Sequence, residues 1–264
     1  MDKKAILLVS IGTSRIEVLE KTTFKLLEEI KEQFKDYHYY VAFSGKYILE
    51  KMNKISDEKF LSVEDVFEKM KSDEIEEVYL QPTFLLNGLE TEKLHELVNN
   101  NRTNFRKIEV GLPLLAKKEE YVEILQGLLE ESQLEENEAL LLIGHGTSHS
   151  ANTTYQNLEY TAYIQGFRNV FVGTVEGEKS QRMILRKLNA AGYQKVCIMP
   201  FLFVAGYHAL KDISAESDAW RSVLVEAGYN VRSMIRGLGE QKKIRELFLK
   251  HLQDILDKTK VGEA

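Results

Sequence analysis

ILLVSIGTS at residues 6–14 and LLLIGHGTS at residues 140–148 are two copies of one segment, 134 residues apart in a chain of 264. Each copy is a short apolar run that ends at a glycine and a Thr-Ser pair. That pattern reads as strand, tight turn and helix start. The copies differ at one chemically decisive position, where the second has His145 and the first has Ile11. A further pair, VYLQPTFLLNGLE at 78–90 and VCIMPFLFVAGYH at 196–208, sets Pro82 opposite Pro200 and Glu90 opposite His208. A framework repeated over this length, with ionisable residues at matched strand ends, predicts two similar domains facing each other across a site.

Outward from these segments, short β-branched runs alternate with longer amphipathic stretches, which is the signal of βαβ units and parallel sheets. Strands are expected at 5–10, 37–43, 77–81 and 107–111, and again at 139–143, 169–174, 195–199 and 230–234. Helices are expected at 15–34 and 117–131, then at 150–166, 178–191, 212–227 and 241–258. Gly12-Thr13-Ser14 supplies a turn and an N-cap for the first of these. The polar run EESQLEENE, residues 130–138, is the expected linker. The domains are then 1–132 and 138–264, and the second carries most of the chemistry. In parallel sheets, ligands sit beyond the carboxyl ends of the strands, and Ser10, Ser44, Glu90, His145, Glu176 and His208 all fall there.

Composition narrows the function. A net charge of −6 argues against nucleic acid as the main partner. No run of about 18 apolar residues is present, so no membrane span is expected. The opening MDKKAILLVS reads as a first strand, not a signal peptide, because its apolar run recurs inside the chain at 140–143. The expected location is the cytoplasm. The single cysteine, Cys197, lies inside VCIMP and is expected to be a buried core residue. There is no GxxxxGK[ST] phosphate loop, no GxGxxG after a strand, no GxSxG elbow and no paired CxxC, which removes support for nucleotide-dependent and serine-hydrolase chemistry.

What remains is a set of ionisable residues at strand ends. In Gly144-His145-Gly146-Thr147-Ser148-His149 the glycines let the backbone turn sharply and leave the imidazole at the end of a strand. The other reading is a turn whose histidine only bonds to backbone. His208 follows the next apolar strand, and a core histidine is its alternative. Glu176, in VGTVEGEKS, ends the strand between them in chain order, and a first-turn glutamate favoured by the helix dipole is its alternative. Two imidazoles and a carboxylate at adjacent strand ends suit a late divalent metal with an open coordination position. Glu90, in the first half, either faces that metal or is a solvated first-turn glutamate. His149 is a cleft residue, not a ligand, and His38, His95 and His251 are expected at the surface.

These residues, in this order, resemble the sirohydrochlorin cobaltochelatases of anaerobic cobalamin biosynthesis, within the chelatase superfamily that includes ferrochelatase. The resemblance is carried by LLVSIGTS at 7–14, LLNGLETEK at 85–93, VGLPLL at 110–115, GHGTSH at 144–149, VGTVEG at 172–177, MPFLFVAGYHA at 199–209 and GLGE at 237–240. It implies two α/β, Rossmann-like halves related by a pseudo-twofold axis, with a tetrapyrrole in the cleft between them. It implies metal binding by His145, Glu176 and His208, catalysis by His145, and a cleft role for Glu90 in metal handling. The chain departs from the family pattern at Ser150, where some relatives have a further histidine, and at Tyr207, where an acidic residue can stand.

The implied reaction is insertion of Co²⁺ into sirohydrochlorin or precorrin-2 with loss of two protons, and no cofactor beyond the metal substrate. Sirohydrochlorin carries carboxylates around its rim, so Thr13, Ser14, Arg15, Thr147, Ser148 and His149 in the two GTS turns are its expected contacts, with Lys93 and Lys211 as weaker ones. For Ser14 and Ser148, helix capping is the stronger alternative. A chelatase for iron or nickel, and a non-catalytic tetrapyrrole or metal carrier, are the competing functions. A homo-oligomer is compatible with the sequence.

Overall fold

The computed structural model describes residues 3–176, 181–207, 213 and 219–262, with side chains to residue 258. All eight expected strands form: β1 (Lys4–Ser10), β2 (His38–Phe43), β3 (Glu77–Pro82), β4 (Lys107–Val110), β5 (Glu138–Gly144), β6 (Val170–Thr174), β7 (Lys195–Pro200) and β8 (Asn230–Ser233). They make two four-stranded sheets, β2-β1-β3-β4 and β6-β5-β7-β8, and every pairing is parallel. The fold is therefore α/β with one topology used twice. The strands are short and apolar because helices cover both faces of such sheets. Every residue of β3, β5 and β6 is buried.

The repeat is exact enough to pair individual hydrogen bonds. Val9 lies opposite Pro82 and Ile143 opposite Pro200. The next residue donates its N–H to the central strand in each sheet, Thr83 to the Val9 carbonyl at 2.8 Å and Phe201 to the Ile143 carbonyl at 2.7 Å. Further on, the Leu114 and Leu115 N–H groups bond the carbonyls of Phe84 and Leu85, as those of Leu238 and Gly239 bond Leu202 and Phe203. Each sheet has its own apolar core, one built around Leu7, Phe67 and Leu80 and the other around Leu141, Ile184 and Trp220.

The division of the chain differs from the one expected. One unit is Met1–Ala116 with Ile244–Ala264, and the other is Lys117–Lys243. The run 130–138 is not a linker. Its residues lie inside the second unit, where the Arg232 guanidinium bonds the Ser132 carbonyl at 2.7 Å and the buried Glu138 carboxylate at 2.7 and 2.8 Å. The helix Tyr121–Ser132 thus belongs with the sheet that follows it. The last helix, Lys242–Gly262, returns to the first unit. Arg245 on it pairs with Glu29 of helix Lys25–Gln33 at 2.9 Å. His251, expected at the surface, is buried there with Nδ1 3.0 Å from the Leu112 carbonyl. An amphipathic pattern says that a helix has a buried face, but not which sheet it covers.

Three helices start later or less regularly than expected. The run from Ile16 to Gln33 is one helix with a π-helical stretch at Glu20–Phe24. In the second unit, 3₁₀ turns precede the helices Tyr121–Ser132 and Thr153–Ile164. Helices Gln181–Ala191 and Trp220–Glu226 occupy the ends of two expected segments whose beginnings lie outside the described residues. No helix among the described residues is long and apolar enough to cross a membrane.

Candidate active site

In each sheet the chain order reverses at the central strands: β1 has β2 on one side and β3 on the other, and β5 has β6 and β7. The carboxyl ends beside such a reversal are where doubly wound sheets bind ligands. His145 is the first residue beyond β5, and its side chain is exposed. Glu176 stands two residues beyond β6 and is also exposed. The β5–β6 pairing outlasts the strands: Val175 N–H donates to the Gly144 carbonyl at 3.0 Å, and Glu176 N–H donates to the His145 carbonyl at 2.8 Å. Two of the three expected metal residues are therefore joined through their main chains.

Gly146 makes this junction possible. Its φ is +83°, a left-handed conformation costly to a residue with a side chain. A Cβ there would stand 1.9 Å from the Glu176 carbonyl oxygen and 3.0 Å from the Thr174 Cβ. Beneath the bend lies Tyr155, whose ring fills the space a Cβ on Gly144 would need, 2.5 Å away. Burial pushes the Tyr155 phenol up to about 12, against a backbone hydrogen bond from Gly146. Tyr155 was not legible as part of the site, although its position in the helix after GHGTSH, beneath a residue without a Cβ, was a usable signal.

The turn that follows is braced from inside. The Thr147 hydroxyl accepts the His149 N–H at 3.1 Å, and the Thr147 N–H goes to Asn152 Oδ1 at 3.2 Å. His149 Nδ1 accepts the Ala151 N–H at 3.1 Å, so this imidazole caps the turn Ser150–Asn152. The cap expected from Ser148 is thus made by His149. The first unit repeats the motif with different chemistry. Gly12 has φ +93°, and the Thr13 hydroxyl accepts the Arg15 N–H at 3.3 Å. Arg15, not Ser14, holds the N-cap position, without a side-chain cap bond. The Arg15 guanidinium is paired with Glu17 at 2.8 Å.

The residues in the place of the His145–Glu176 pair are Ile11 and Gly45. Gly45 N–H donates to the Ile11 carbonyl at 3.2 Å, as Glu176 does to His145. A Cβ on Gly45 would come within 2.6 Å of that carbonyl oxygen, so this strand end admits no carboxylate without a backbone shift. Glu90 is half-buried in the first turn of helix Leu89–Asn101, and its carboxylate holds Lys93 at 2.9 Å. That is the arrangement of an ordinary first-turn glutamate. Among the described residues, no group of three or more His, Cys, Asp and Glu side chains is placed to hold a metal ion. His208 and Lys211 lie outside the described residues. Cys197 is buried in β7, and burial pushes its thiol up to about 11, as expected of an inert core cysteine.

The family model described as Cobalt chelatase (CbiK) matches residues 4–257. The chain belongs to the cobalt chelatase family. Among its relatives, the sirohydrochlorin cobaltochelatase of Salmonella typhimurium is 30% identical over 257 residues, covering 97% of each chain. The sirohydrochlorin cobaltochelatase CbiKC of Nitratidesulfovibrio vulgaris is 29% identical over 259 residues, covering 96% of this chain and 90% of that one. Among solved structures, this cobalt chelatase fold is similar to SirB from Bacillus subtilis, with a TM-score of 0.62 at 17% identity over 96% of this chain and 95% of that one. CbiX, the terminal enzyme of siroheme biosynthesis in denitrifying bacteria, gives 0.57 at 12% identity over 95% and 98%. At these identities the structural likeness concerns the fold.

Proposed function

We propose that this cobalt chelatase inserts Co²⁺ into sirohydrochlorin, exchanging two pyrrole N–H protons for the metal. The observation that carries the reading is the His145–Glu176 junction. The residues that carry an imidazole and a carboxylate, ligand types that suit late divalent metals, are joined through their main chains at the two strand ends beside the switch point. The named activity of the two relatives supports the same reaction.

In this reading His145 and Glu176 hold the incoming Co²⁺, with His208 as the third ligand, and leave coordination positions open for pyrrole nitrogens. The metal's charge favours loss of the pyrrole protons as it approaches. The imidazole lone pair that binds the metal cannot accept a proton at the same time. His145 therefore becomes a base only once the metal has passed to the macrocycle, when it takes one proton and water takes the other. Thr147 contributes through its hydroxyl. The oxygen accepts the His149 N–H, which leaves the hydroxyl hydrogen for a rim carboxylate of the substrate. Thr13 accepts the Arg15 N–H in the same way but is buried, so its hydroxyl is not presented to a rim carboxylate as that of Thr147 is. Arg15 must release Glu17 to meet a substrate carboxylate, and Glu90 must release Lys93 to take part in metal handling.

The test is anaerobic spectroscopy of sirohydrochlorin with Co²⁺. Wild type is expected to accelerate insertion above the uncatalysed rate. His145→Ala is expected to lose at least about 100-fold, the scale of a general base together with a ligand, and Glu90→Gln much less. No acceleration by wild type would refute the enzyme reading in favour of a carrier. Full activity in His145→Ala would refute the mechanism. The same assay with Fe²⁺ and Ni²⁺ reads the metal preference.

A further inference from the structure

Asn87 is the one asparagine of the chain that precedes a glycine. It lies in the bend at 85–88, between β3 and helix Leu89–Asn101, and its side chain is exposed. In the paired segment of the second unit the same two positions are Ala205 and Gly206. The repeated frame therefore keeps the glycine and does without the asparagine.

Other asparagines are held by their side chains. Asn53 donates to the Phe60 carbonyl at 3.0 Å and accepts the Phe60 N–H at 2.7 Å. Asn152 Oδ1 accepts the Thr147 N–H at 3.2 Å, and Asn101 donates to the Leu97 carbonyl at 2.9 Å. Among the described residues, neither the Asn87 amide nor the Gly88 N–H takes part in a hydrogen bond. The Asn87 amide carbon is thus free to turn toward the Gly88 nitrogen, and Gly88 has no Cβ to obstruct the approach. Two reacting groups held on adjacent residues need no encounter to meet. Gly88 is buried, so its N–H meets hydroxide through local opening of the bend.

We infer that Asn87-Gly88 is a site of spontaneous covalent modification, at which the Gly88 nitrogen closes a cyclic imide on the Asn87 side chain. The nitrogen gives its proton to hydroxide and bonds Cγ, and the side-chain nitrogen leaves as ammonia. Water then adds across one of the two imide C–N bonds. Opening at the side-chain carbonyl gives aspartate. Opening at the main-chain carbonyl gives isoaspartate, in which the chain runs through the former side chain. In sum, water is consumed, ammonia is released, an amide becomes a carboxylate, and no oxidation state changes.

The two products act differently on the fold. Aspartate adds a negative charge just before a helix N-terminus, where the dipole favours it, although Glu90 and Glu92 already stand in the first turn. Isoaspartate also lengthens the main chain by one atom between Leu86 and Gly88. Two bonds tie that segment to the helix start: the Thr91 hydroxyl donates to the Leu86 carbonyl at 2.7 Å, and the Glu92 N–H donates to the Gly88 carbonyl at 3.0 Å. An added atom between the two carbonyls shifts one bond or the other. The modification does not depend on the proposed function. Its effect on binding does: a substrate with a carboxylate rim is repelled by negative charge added at this edge.

The test is ageing of the full-length protein at mildly alkaline pH, for wild type and for Asn87→Ala, which carries the residue of the second unit. Peptide mass spectrometry and isoelectric focusing read the products, and an isoaspartyl carboxyl methyltransferase with a labelled methyl donor counts isoaspartate. Wild type is expected to gain one mass unit and one negative charge at Asn87 before any other asparagine reacts. The rate should rise with hydroxide concentration, and the aged chain should accept methyl label. Asn87→Ala should show none of these changes. KM for sirohydrochlorin should rise by at least about twofold in aged wild type and stay constant in aged Asn87→Ala. Earlier conversion at another asparagine, or none at Asn87, overturns the inference and leaves the proposed function standing. Conversion at Asn87 with an unchanged KM overturns the effect on binding. Absence of cobalt insertion by fresh wild type overturns the proposed function and leaves the modification standing.

Discussion

Replacing Gly146 by alanine should disable the site far more than it unfolds the protein. The new Cβ has two costs. Holding a non-glycine residue at φ +83° costs about 1 kcal/mol. The second cost is steric, since the Cβ stands 1.9 Å from the Glu176 carbonyl oxygen and ordinary contact begins near 3.4 Å. The obstacle is backbone, so either the bend or the Glu176 peptide must move by more than about 1 Å. Overpacking of this kind costs about 1–3 kcal/mol. The motion also strains the 2.8 Å hydrogen bond from Glu176 N–H to His145. Displacing a catalytic group by about 1 Å can cost about 100-fold in rate.

Gly192→Ala isolates the first cost, because Gly192 has φ +78° and nothing within 4 Å of its added Cβ. That variant should lose about 1 kcal/mol of stability, measured by thermal unfolding, and no activity. Gly146→Ala should lose about 2–4 kcal/mol in the same measurement and about 100-fold in kcat/KM for cobalt insertion, assayed well below its unfolding temperature. Gly12→Ala tests the repeat. Its nearest obstacle is the flexible Met52 side chain at 2.9 Å, so the stability loss should be nearer that of Gly192→Ala. If folded Gly146→Ala keeps activity within about threefold of wild type, the bend does not position His145 and Glu176 and the argument is wrong.

Two further expectations concern stability. Burial pushes the Cys197 thiol up to about 11 and the Tyr155 phenol up to about 12, from ordinary values of 9.0 and 10.0. Their neutral forms therefore support the fold fully below pH 9; that support is lost as pH rises through 11 and 12, on the order of 2–3 kcal/mol per group. Melting temperatures from pH 8 to 12 should fall in that window, and Cys197→Ala should remove the earlier part of the decline; a flat profile would discard both assignments. Arg232→Met leaves the buried Glu138 carboxylate without its bidentate partner and should destabilise the protein by about 2–3 kcal/mol in denaturant unfolding, discounted because the guanidinium is partly exposed. Adding Glu138→Gln should restore most of that loss, and failure to do so would place the Arg232 contribution in its bonds to Ser132 and Gln133.

By itself the sequence determined the eight strands, the twofold repeat and the bend that carries His145. These are local facts: short continuous apolar runs, a proline shared by β3 and β7, and glycines at matched turns. Only the tertiary structure decided where the helices go. An amphipathic stretch declares an apolar face and no destination, so Tyr121–Ser132 and Lys242–Gly262 joined units that chain order did not assign them, and His251 became buried. The site divides in the same way. His145 and Glu176 stood out as residue types at strand ends, but their junction comes from register, and register is a property of two strands 30 residues apart. The same holds for Gly45, a residue with no chemistry of its own, whose missing side chain excludes a carboxylate from one edge and gives Ile11 its place there.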